Sequence, residues 1–318
     1  MPINKDSEKP ETIKKSAIIM DGKFVAGELT ERLRPRIEML EKKLGINPCL
    51  TVILVGNNPA SQIYVKSKRA KCNSLRIKSE LIQLEASISE DELLCVIEEL
   101  NNNPECHGIL VQLPVPDHIN SDKIIEAIIP EKDVDGFHPS NLGSLFAGNE
   151  KIVPCTPKGI IKLLEHYKVE ISGKNAVVLG RSNIVWKPIA SLLLNRNATV
   201  TVCHSKTKNL SEFTKKADIL VSAVGKSGLI TEDMVKDDVI IIDVAINRED
   251  KDGDGVKIIR GDVDFYSVSK KASLITPVPG GVGPMTIAML MENLVELAES
   301  SIGKKRWEWW EGIRRLEW

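Results

Sequence analysis

The feature that most constrains the fold is an alternation of short, mostly apolar runs with segments that have helical spacing. Apolar runs of strand length recur along the chain, and most neighbouring runs are separated by an amphipathic helical pattern. The predicted strands cover residues 50–55, 79–84, 107–112, 175–179, 198–203, 218–222, 239–243 and 273–276. Apolar strands joined by helices are typical of parallel sheets that are covered on both faces. The sequence therefore predicts an α/β fold.

The length predicts two domains, because 318 residues correspond to about two units of roughly 150 residues each. A loop-rich stretch separates the two halves, and an apolar helix near the end is expected to return to the first half. We expect a parallel-sheet α/β domain, a Rossmann-like doubly wound domain and a cleft between them. The predicted boundaries are a disordered lead at 1–15, a discontinuous first domain at 16–155 plus 286–302, a second domain at 156–285, and a Trp-rich tail at 303–318.

Composition excludes several classes of function. The 43 basic and 44 acidic residues balance, so no basic surface for nucleic acid is expected. We also expect no membrane span, because no stretch of about 18 apolar residues occurs, and the charged N-terminus is unlike a signal peptide. The six cysteines form no C-x-x-C pair and no zinc-ligand spacing, which predicts no metal site and reduced thiols in the cytoplasm.

The strongest candidate for chemistry is a helix that directly follows the strand at 50–55. Asn58 and Pro59 suit the cap and the first position of this helix. Ser61, Tyr64 and Lys68 then share one helical face, at the edge of a sheet where open α/β folds hold their ligands. A hydroxyl, a phenol and an amine on this face indicate a proton-transfer site, although the spacing alone also fits an ordinary surface lysine.

Two other segments offer polar groups at strand or loop ends. Val111, Gln112 and Leu113 end a buried strand just before Pro114, so Gln112 can hydrogen-bond a ligand or cap a loop. Asp135 follows in Asp-Val-Asp-Gly-Phe at 133–137 and can clamp an amidine-like ring edge, or the segment can be an Asx-turn before its glycine.

The second half contains segments suited to a phosphorylated ligand. Gly180, Arg181 and Ser182 stand between a strand and a helix, where backbone N–H groups bind anions. The next strand is followed by a segment with hydroxyls and cations but no acidic residue, which favours NADP over NAD, although a solvated basic turn explains it equally well. This segment contains His204 and Ser205. A further loop, containing Pro279, Gly280 and Gly281, allows close approach to a flat ligand.

Taken together, these motifs resemble the bifunctional methylenetetrahydrofolate dehydrogenase/methenyltetrahydrofolate cyclohydrolase family. The resemblance runs from about residue 17 to 300. The motifs that carry it are S-x-x-Y-x-x-x-K at 61–68, V-Q-L-P-V-P at 111–116, D-V-D-G-F at 133–137, G-R-S at 180–182, C-H-S-K-T at 203–207 and P-G-G-V-G-P-M-T at 279–286. It implies oxidation of 5,10-methylenetetrahydrofolate with NADP⁺, followed by hydrolysis of the methenyl product to 10-formyltetrahydrofolate.

The resemblance also implies roles for individual residues. Lys68 would be the main catalytic group, with Gln112 in support. Tyr64 would contact the folate ring and Asp135 would hold the pterin edge, in a cleft between the domains. The cofactor would contact residues 180–182, Ser205 and the segment Ala245–Ile246. The resemblance further implies a homodimer. Since a lysine exchanges protons near neutrality only if its surroundings favour the neutral amine, we expect the basic neighbours on its helix to contribute.

The chain departs from the family pattern at two points near the expected cofactor site. Trp186 stands where the family pattern has glycine, and Ala245 stands at another expected glycine. An indole at position 186 would overlap the path of the pyrophosphate or rotate outward. This departure leads to the hypothesis that NADP⁺ affinity is weakened, and it leaves open a protein with only one of the two activities or a non-catalytic folate- or nucleotide-binding protein.

Overall fold

The computed structural model describes residues 16–251 and 256–314 of the chain, with side chains at 16–42, 45–248 and 258–302. The predicted disordered lead at 1–15 lies outside the described residues. The last helix continues through residue 314, so the backbone of most of the predicted Trp-rich tail is helical, whereas residues 315–318 lie outside the described part. The domain boundaries given above stay a prediction.

Helices and strands alternate along most of the described chain. The helices are α1 (Gly22–Leu44), α2 (Pro59–Ser74), α3 (Glu90–Asn102), α4 (Ser121–Ala127), α5 (Pro139–Phe146), α6 (Cys155–His166), α7 (Trp186–Asn195), α8 (Leu210–Thr214), α9 (Phe265–Val268) and α10 (Val282–Arg314). The strands are β1 (Ile18–Ile19), β2 (Cys49–Val55), β3 (Lys78–Leu84), β4 (Gly108–Val111), β5 (Asn175–Leu179), β6 (Thr199–Cys203), β7 (Ile219–Ser222), β8 (Ile240–Asp243), β9 (Asn247–Lys251), β10 (Val256–Arg260) and β11 (Leu274–Ile275).

Side-chain caps define where the first helices begin. The Asn58 carboxamide oxygen accepts hydrogen bonds from two backbone N–H groups of the first turn of α2, at 2.9 and 3.1 Å. Ser89 and Glu92 form a capping box at the start of α3. Gly45 ends α1 in the left-handed conformation, with φ 64°. These local signals fix where the helices begin and end.

The first half of the chain forms a three-stranded parallel sheet with the order β3-β2-β4. The chain leaves β2 for β3 on one side and then crosses to β4 on the other side. The crevice between β2 and β4 is therefore a topological switch point, where open α/β sheets bind ligands outside the carboxyl ends of their strands. α2 follows β2 at this edge, and Gln112 directly follows β4.

The second half forms a six-stranded sheet with the order β1-β11-β8-β7-β5-β6, in which every pair of neighbours is parallel. From β5 onward this is the doubly wound order 2-1-3-4-5, and the switch point lies between β5 and β7. The two residues of β1 extend the sheet beside β11, at the opposite edge from β6. The predicted α/β fold class, with a doubly wound second sheet, is confirmed.

The long helix α10 connects the two halves by packing against α1 and α6. One continuous apolar core includes Leu50 from the small sheet, Val178 from the large sheet and Met289 from α10. Burial of the α10 face between both halves makes the helix part of a shared core rather than a peripheral addition. Among the described helices, none has the length and apolar character needed to cross a membrane.

Some elements differ from the sequence-based expectation. α5 lies inside the stretch expected to be loop-rich, and the antiparallel pair β9 and β10 was not predicted. These differences concern short or polar segments, in which apolar periodicity carries little information.

Candidate active site

The three-stranded sheet brings Lys68 and Gln112 together. Lys68 lies on α2, and its Nζ donates a hydrogen bond to Gln112 Oε1 over 3.1 Å. Gln112 Nε2 in turn donates to the backbone oxygen of Leu113 at 2.8 Å, which holds the carboxamide in one orientation. The Gln112 backbone N–H donates to Ile53 O at 2.9 Å, so this residue continues the sheet pairing. The two groups therefore meet because β2 and β4 are neighbours.

The loop at 133–136 runs beside β4, because Ile109 N donates to Lys132 O at 2.8 Å. Asp133 is buried and accepts hydrogen bonds from Gly136 N at 3.0 Å, His138 N at 2.8 Å and Asn141 Nδ2 at 2.8 Å. These bonds make Asp133 the Asx-turn carboxylate of the loop. The hydrogen bonds of this turn go to Asp133 and not to the Asp135 carboxylate. Asp133 is therefore the carboxylate of the predicted Asx-turn, and Asp135 stays the candidate for ligand binding.

The pKa of Asp135 reflects a partly buried acid with a base nearby. Burial raises the pKa of the Asp135 carboxyl above its ordinary value, the Lys68 ammonium lowers this pKa in part, and Asp133 adds to the increase. The loop reaches this position through Gly136, whose φ is 75°. A Cβ at Gly136 would lie 2.7 Å from Pro154 N and 2.8 Å from the Val153 carbonyl carbon. Glycine is thus required for the close approach of the two backbone segments.

The other predicted substrate residues surround this edge with different degrees of exposure. Ser61 is buried on α2, whereas Tyr64 is 40% exposed. Val111 is buried as the last residue of β4, and Leu113 is partly exposed. The predicted loop at 279–281 lies between β11 and α10, where Gly280 O accepts a hydrogen bond from Lys23 N at 3.1 Å. This hydrogen bond ties the loop to the start of α1. The substrate contacts assigned to these residues stay predictions.

The predicted cofactor residues lie at the carboxyl ends of the parallel strands of the large sheet. Gly180 follows β5, and its N–H donates to Cys203 O at 2.7 Å, which holds this turn to the end of β6. Arg181, Ser182, His204 and Ser205 are exposed in the loops after these two strands. The Val185 side chain provides no cap for the first N–H groups of α7. An uncapped helix start beside exposed arginine and serine side chains fits a phosphate group.

Trp186 occupies a position that sequence reasoning left open. Its side chain is 7% exposed and belongs to the main core. A Cβ at Gly180 would lie 2.1 Å from Trp186 Nε1 and 2.3 Å from Cε2. The indole therefore packs directly on the α-carbon of Gly180, which has φ 128°. The alternative in which the indole rotates outward is therefore wrong.

A third loop of this edge, after β7, was not predicted as part of the site. Asp262 is buried and accepts hydrogen bonds from Ser222 Oγ at 3.0 Å and from Lys226 N at 2.7 Å. It also accepts a hydrogen bond from Val224 N. Asp243 accepts from Ala245 N at 3.2 Å, and burial raises the pKa of Asp243 to about 6. Ala245 is buried and Ile246 is exposed. This loop could have been predicted as part of the site, because the carboxyl ends of all parallel strands in a sheet lie at the same edge.

Within the part of the chain that the structure describes, no group of three or more His, Cys, Asp or Glu side chains is placed to hold a metal ion. The five buried cysteines, Cys49, Cys72, Cys106, Cys155 and Cys203, are unpaired thiols, and Cys95 is an exposed one.

The fold and the site define a two-domain α/β enzyme that has a lysine–glutamine–aspartate site on one sheet and a dinucleotide-binding edge on the other. The family described as tetrahydrofolate dehydrogenase/cyclohydrolase matches the chain twice, with its catalytic-domain model at residues 20–135 and its NAD(P)-binding-domain model at 154–302. The bifunctional protein FolD of Streptococcus mutans serotype c is 54% identical over 286 residues, which are 90% of this chain and 99% of that relative.

Solved structures agree with this assignment. The bifunctional FolD methylenetetrahydrofolate dehydrogenase/cyclohydrolase from Campylobacter jejuni has a TM-score of 0.86 and 52% identity, covering 90% of this chain and 99% of its own. The Trypanosoma brucei FolD, complexed with NADP cofactor and inhibitor, has a TM-score of 0.87 and 37% identity, covering 91% and 99%. The chain belongs to the tetrahydrofolate dehydrogenase/cyclohydrolase family.

The predicted family and the two predicted activities are therefore confirmed. The chain is a methylenetetrahydrofolate dehydrogenase and methenyltetrahydrofolate cyclohydrolase, and the cofactor prediction is confirmed by its NAD(P)-binding domain. The roles assigned to individual residues stay predictions.

Proposed function

We propose that Lys68 carries out the proton transfers of the cyclohydrolase reaction, in a site where Gln112 orients its amine and Asp135 binds the substrate. The observation that carries this proposal is the hydrogen bond from Lys68 Nζ to Gln112 Oε1, at 3.1 Å, beside the Asp135 carboxylate. Hydrolysis of a cationic amidinium needs a group that accepts a proton from water and later returns one to the leaving nitrogen. Lys68 is the amine placed to do both.

A single amine is sufficient for both proton transfers of the hydrolytic step. Water oxygen adds to the methenyl carbon, and the neutral amine of Lys68 accepts a proton from the attacking water. The bond from this carbon to one nitrogen then breaks while the Lys68 ammonium protonates that nitrogen. The carbon is left as a formyl group, and one proton is released overall for each water consumed. Gln112 Oε1 accepts the Lys68 hydrogen bond in the ammonium state and so keeps the amine directed at the reacting carbon.

Asp135 is proposed to bind the amidine-like edge of the pterin. An ionised carboxylate accepts two parallel N–H hydrogen bonds from such an edge, which sets both position and angle. Burial raises the pKa of the Asp135 carboxyl and so favours its neutral form. A bound cationic or N–H-rich partner offsets this effect and favours the ionised form. Tyr64, with its ring 40% exposed at the same helix, is proposed to contact the folate ring.

We propose that the residues after β6 select NADP over NAD. The exposed residues after β6 include His204, Ser205 and Lys206, and they offer hydroxyl and cationic groups for a 2′-phosphate. Arg181 and Ser182 would lie near the pyrophosphate at the start of α7. When bound, the nicotinamide accepts a hydride from the methylene carbon of the folate. A homodimer and a cytoplasmic location are likewise proposals, supported by the family resemblance and by the reduced, mostly buried cysteines.

The test replaces Lys68 by methionine, which keeps the length of the side chain and removes the amine. We expect methenyl hydrolysis, followed by its absorbance, to fall by at least about 100-fold, the usual contribution of general acid–base catalysis. Lys66→Met is the matched control, because Lys66 is an exposed lysine on the same helix whose charge is screened by solvent, so turnover should change by no more than about threefold. Undiminished hydrolysis by folded Lys68→Met protein would refute the proposal.

A second candidate is a cyclohydrolase whose dehydrogenase step is limited by weak cofactor binding. The observation that favours it is the Trp186 indole packed on Gly180, where a pyrophosphate would approach the turn. Formation and decay of the methenyl form are measured in the same chain with NADP⁺ or NAD⁺. Slow formation that accelerates with cofactor concentration, together with normal decay, would support this candidate. Saturation of the formation rate at low NADP⁺ would exclude it.

A further inference from the structure

A buried amide on α10 contacts the segment that carries Asp135. Asn293 has no solvent exposure, and its neighbours along the helix include Glu292 and Glu296. Its Nδ2 donates to the backbone oxygens of Val134 and Val153, both at 3.0 Å. Val134 immediately precedes Asp135 in the chain. One side chain therefore joins the Asp135 loop to the segment that leads into α6.

The orientation of this amide is determined by its other partner. Lys158 Nζ donates to Asn293 Oδ1 at 2.9 Å, and a lysine ammonium has no acceptor to offer in return. Lys158 is itself held by Glu296 at 2.9 Å and by Glu292 at 3.3 Å. The oxygen of Asn293 must therefore point to Lys158, and its two N–H donors point to Val134 O and Val153 O.

Cys155 completes the contact from the first residue of α6. Its Sγ lies 3.5 Å from Val134 O, 4.0 Å from Asp135 Oδ1 and 3.6 Å from Asn293 Nδ2. Burial raises the pKa of this thiol well above its ordinary value, so the sulfur keeps its proton. A protonated thiol is a weak donor next to two oxygens, one of which belongs to the carboxylate assigned to the pterin.

From this geometry we propose that Asn293 and Cys155 are positioning residues that set the orientation of the Asp135 carboxylate. The proposal rests on the assignment of Asp135 to the substrate. A bidentate contact to a planar ring edge tolerates little angular error, so anchoring the preceding peptide raises affinity without touching the ligand. Both residues belong to the part of the chain matched by the NAD(P)-binding-domain model, at 154–302. The Asp135 carboxylate is thus linked to α6 and α10, which pack against each other.

The experiment is a double-mutant cycle on tetrahydrofolate binding, measured by calorimetry with the full chain. Asn293→Ala alone is expected to weaken binding about tenfold, and Asp135→Ala alone by about 30-fold or more. If Asn293 acts through Asp135, adding Asn293→Ala to Asp135→Ala changes the dissociation constant by no more than about twofold. NADP⁺ affinity is measured in parallel and should not change in any of these variants.

Two further variants keep the test decisive if Asn293→Ala folds poorly. Cys155→Ala is expected to weaken tetrahydrofolate binding several-fold, and Cys155→Ser, which restores a donor, to recover most of the loss. Asn101→Ala is the matched control, since it removes an Nδ2 bond to a loop carbonyl, Ala127 O at 2.7 Å, away from Asp135. It should leave binding unchanged.

The outcomes separate this inference from the proposed function. If Asp135→Ala leaves tetrahydrofolate binding intact, the assignment of Asp135 itself fails. If Asp135→Ala weakens binding but the loss caused by Asn293→Ala or Cys155→Ala is absent, or persists undiminished in the Asp135→Ala background, the positioning role is overturned. A fall in NADP⁺ affinity equal to the fall in folate affinity would also overturn it, because it would indicate general loss of structure.

Discussion

Replacing Trp186 by glycine should change stability and cofactor affinity in opposite directions. The indole is 7% exposed in the main core, so its removal leaves a cavity and should cost about 3–5 kcal/mol of folding free energy. For a chain of this length this corresponds to a fall in Tm of about 10 °C. A substitution that merely damaged the fold would lower cofactor affinity as well.

The expected gain in NADP⁺ affinity follows from the contact with Gly180. Because the indole lies 2.1 Å from the place of a Cβ at Gly180, a phosphate oxygen can approach this turn only after the ring moves. Exposing about half of the roughly 250 Å² buried by a tryptophan costs about 3 kcal/mol at about 25 cal/mol per Å². Removing that cost should tighten NADP⁺ binding by about 100-fold.

The assay combines thermal unfolding with calorimetric titration of NADP⁺. Ile189→Ala is the matched control, because Ile189 is fully buried on the same helix and in the same core. It should lower Tm without changing the dissociation constant. Trp186 is also the only one of the five tryptophans outside residues 307–318. With those four replaced by phenylalanine, cofactor binding should shift its emission to longer wavelength. Equal or weaker NADP⁺ binding by Trp186→Gly would refute the reasoning.

Two further predictions concern the loop of Asp135 and the buried Asp243. Gly136→Ala should lower stability by at least about 2 kcal/mol and raise the KM for methenyltetrahydrofolate, because its Cβ would meet the backbone at 153–154. The control Gly148→Ala, at φ 82° with open space around it, should lower stability by only about 1 kcal/mol. Equal losses of stability in the two variants would contradict this prediction. Since burial raises the pKa of Asp243 from 3.8 to about 6, its contribution to stability is fully present below pH 3.8 and falls by about 3 kcal/mol as the pH rises from there through 6. Denaturant unfolding of Asp243→Asn should lack this decline, whereas an unchanged pH profile would exclude Asp243 as its source.

The helices and strands near the two sites were largely predictable, because their signals are local. Asn58 with Pro59, and Ser89 with Glu92, cap helices through contacts within three residues. The strands of both parallel sheets are buried, so their apolar runs were visible without knowledge of neighbours. The elements that were missed, such as α5 and the pair β9 and β10, have weaker apolar periodicity.

Within the site, the sequence predicted which residues lie at this edge of the sheet but not which of them have a structural role. The spacing along α2 predicted that Lys68 and Tyr64 share a face, and the end of the strand predicted the position of Gln112. The choice between a turn and a ligand-binding carboxylate at 133–135 needed the hydrogen bonds of Asp133. Asn293 was missed because an asparagine next to glutamates in a helix gives no indication of what it faces.

By itself, the sequence determined the alternation of strands and helices, the helix caps and the order of the motifs, since each depends on residues close along the chain. Only the tertiary structure decided that Lys68 meets Gln112, that Asn293 anchors the loop of Asp135, and that the indole at 186 covers Gly180. Two of these contacts join residues separated by 44 and 159 positions. Such partners are selected by packing of whole elements, in which many arrangements satisfy the same local preferences.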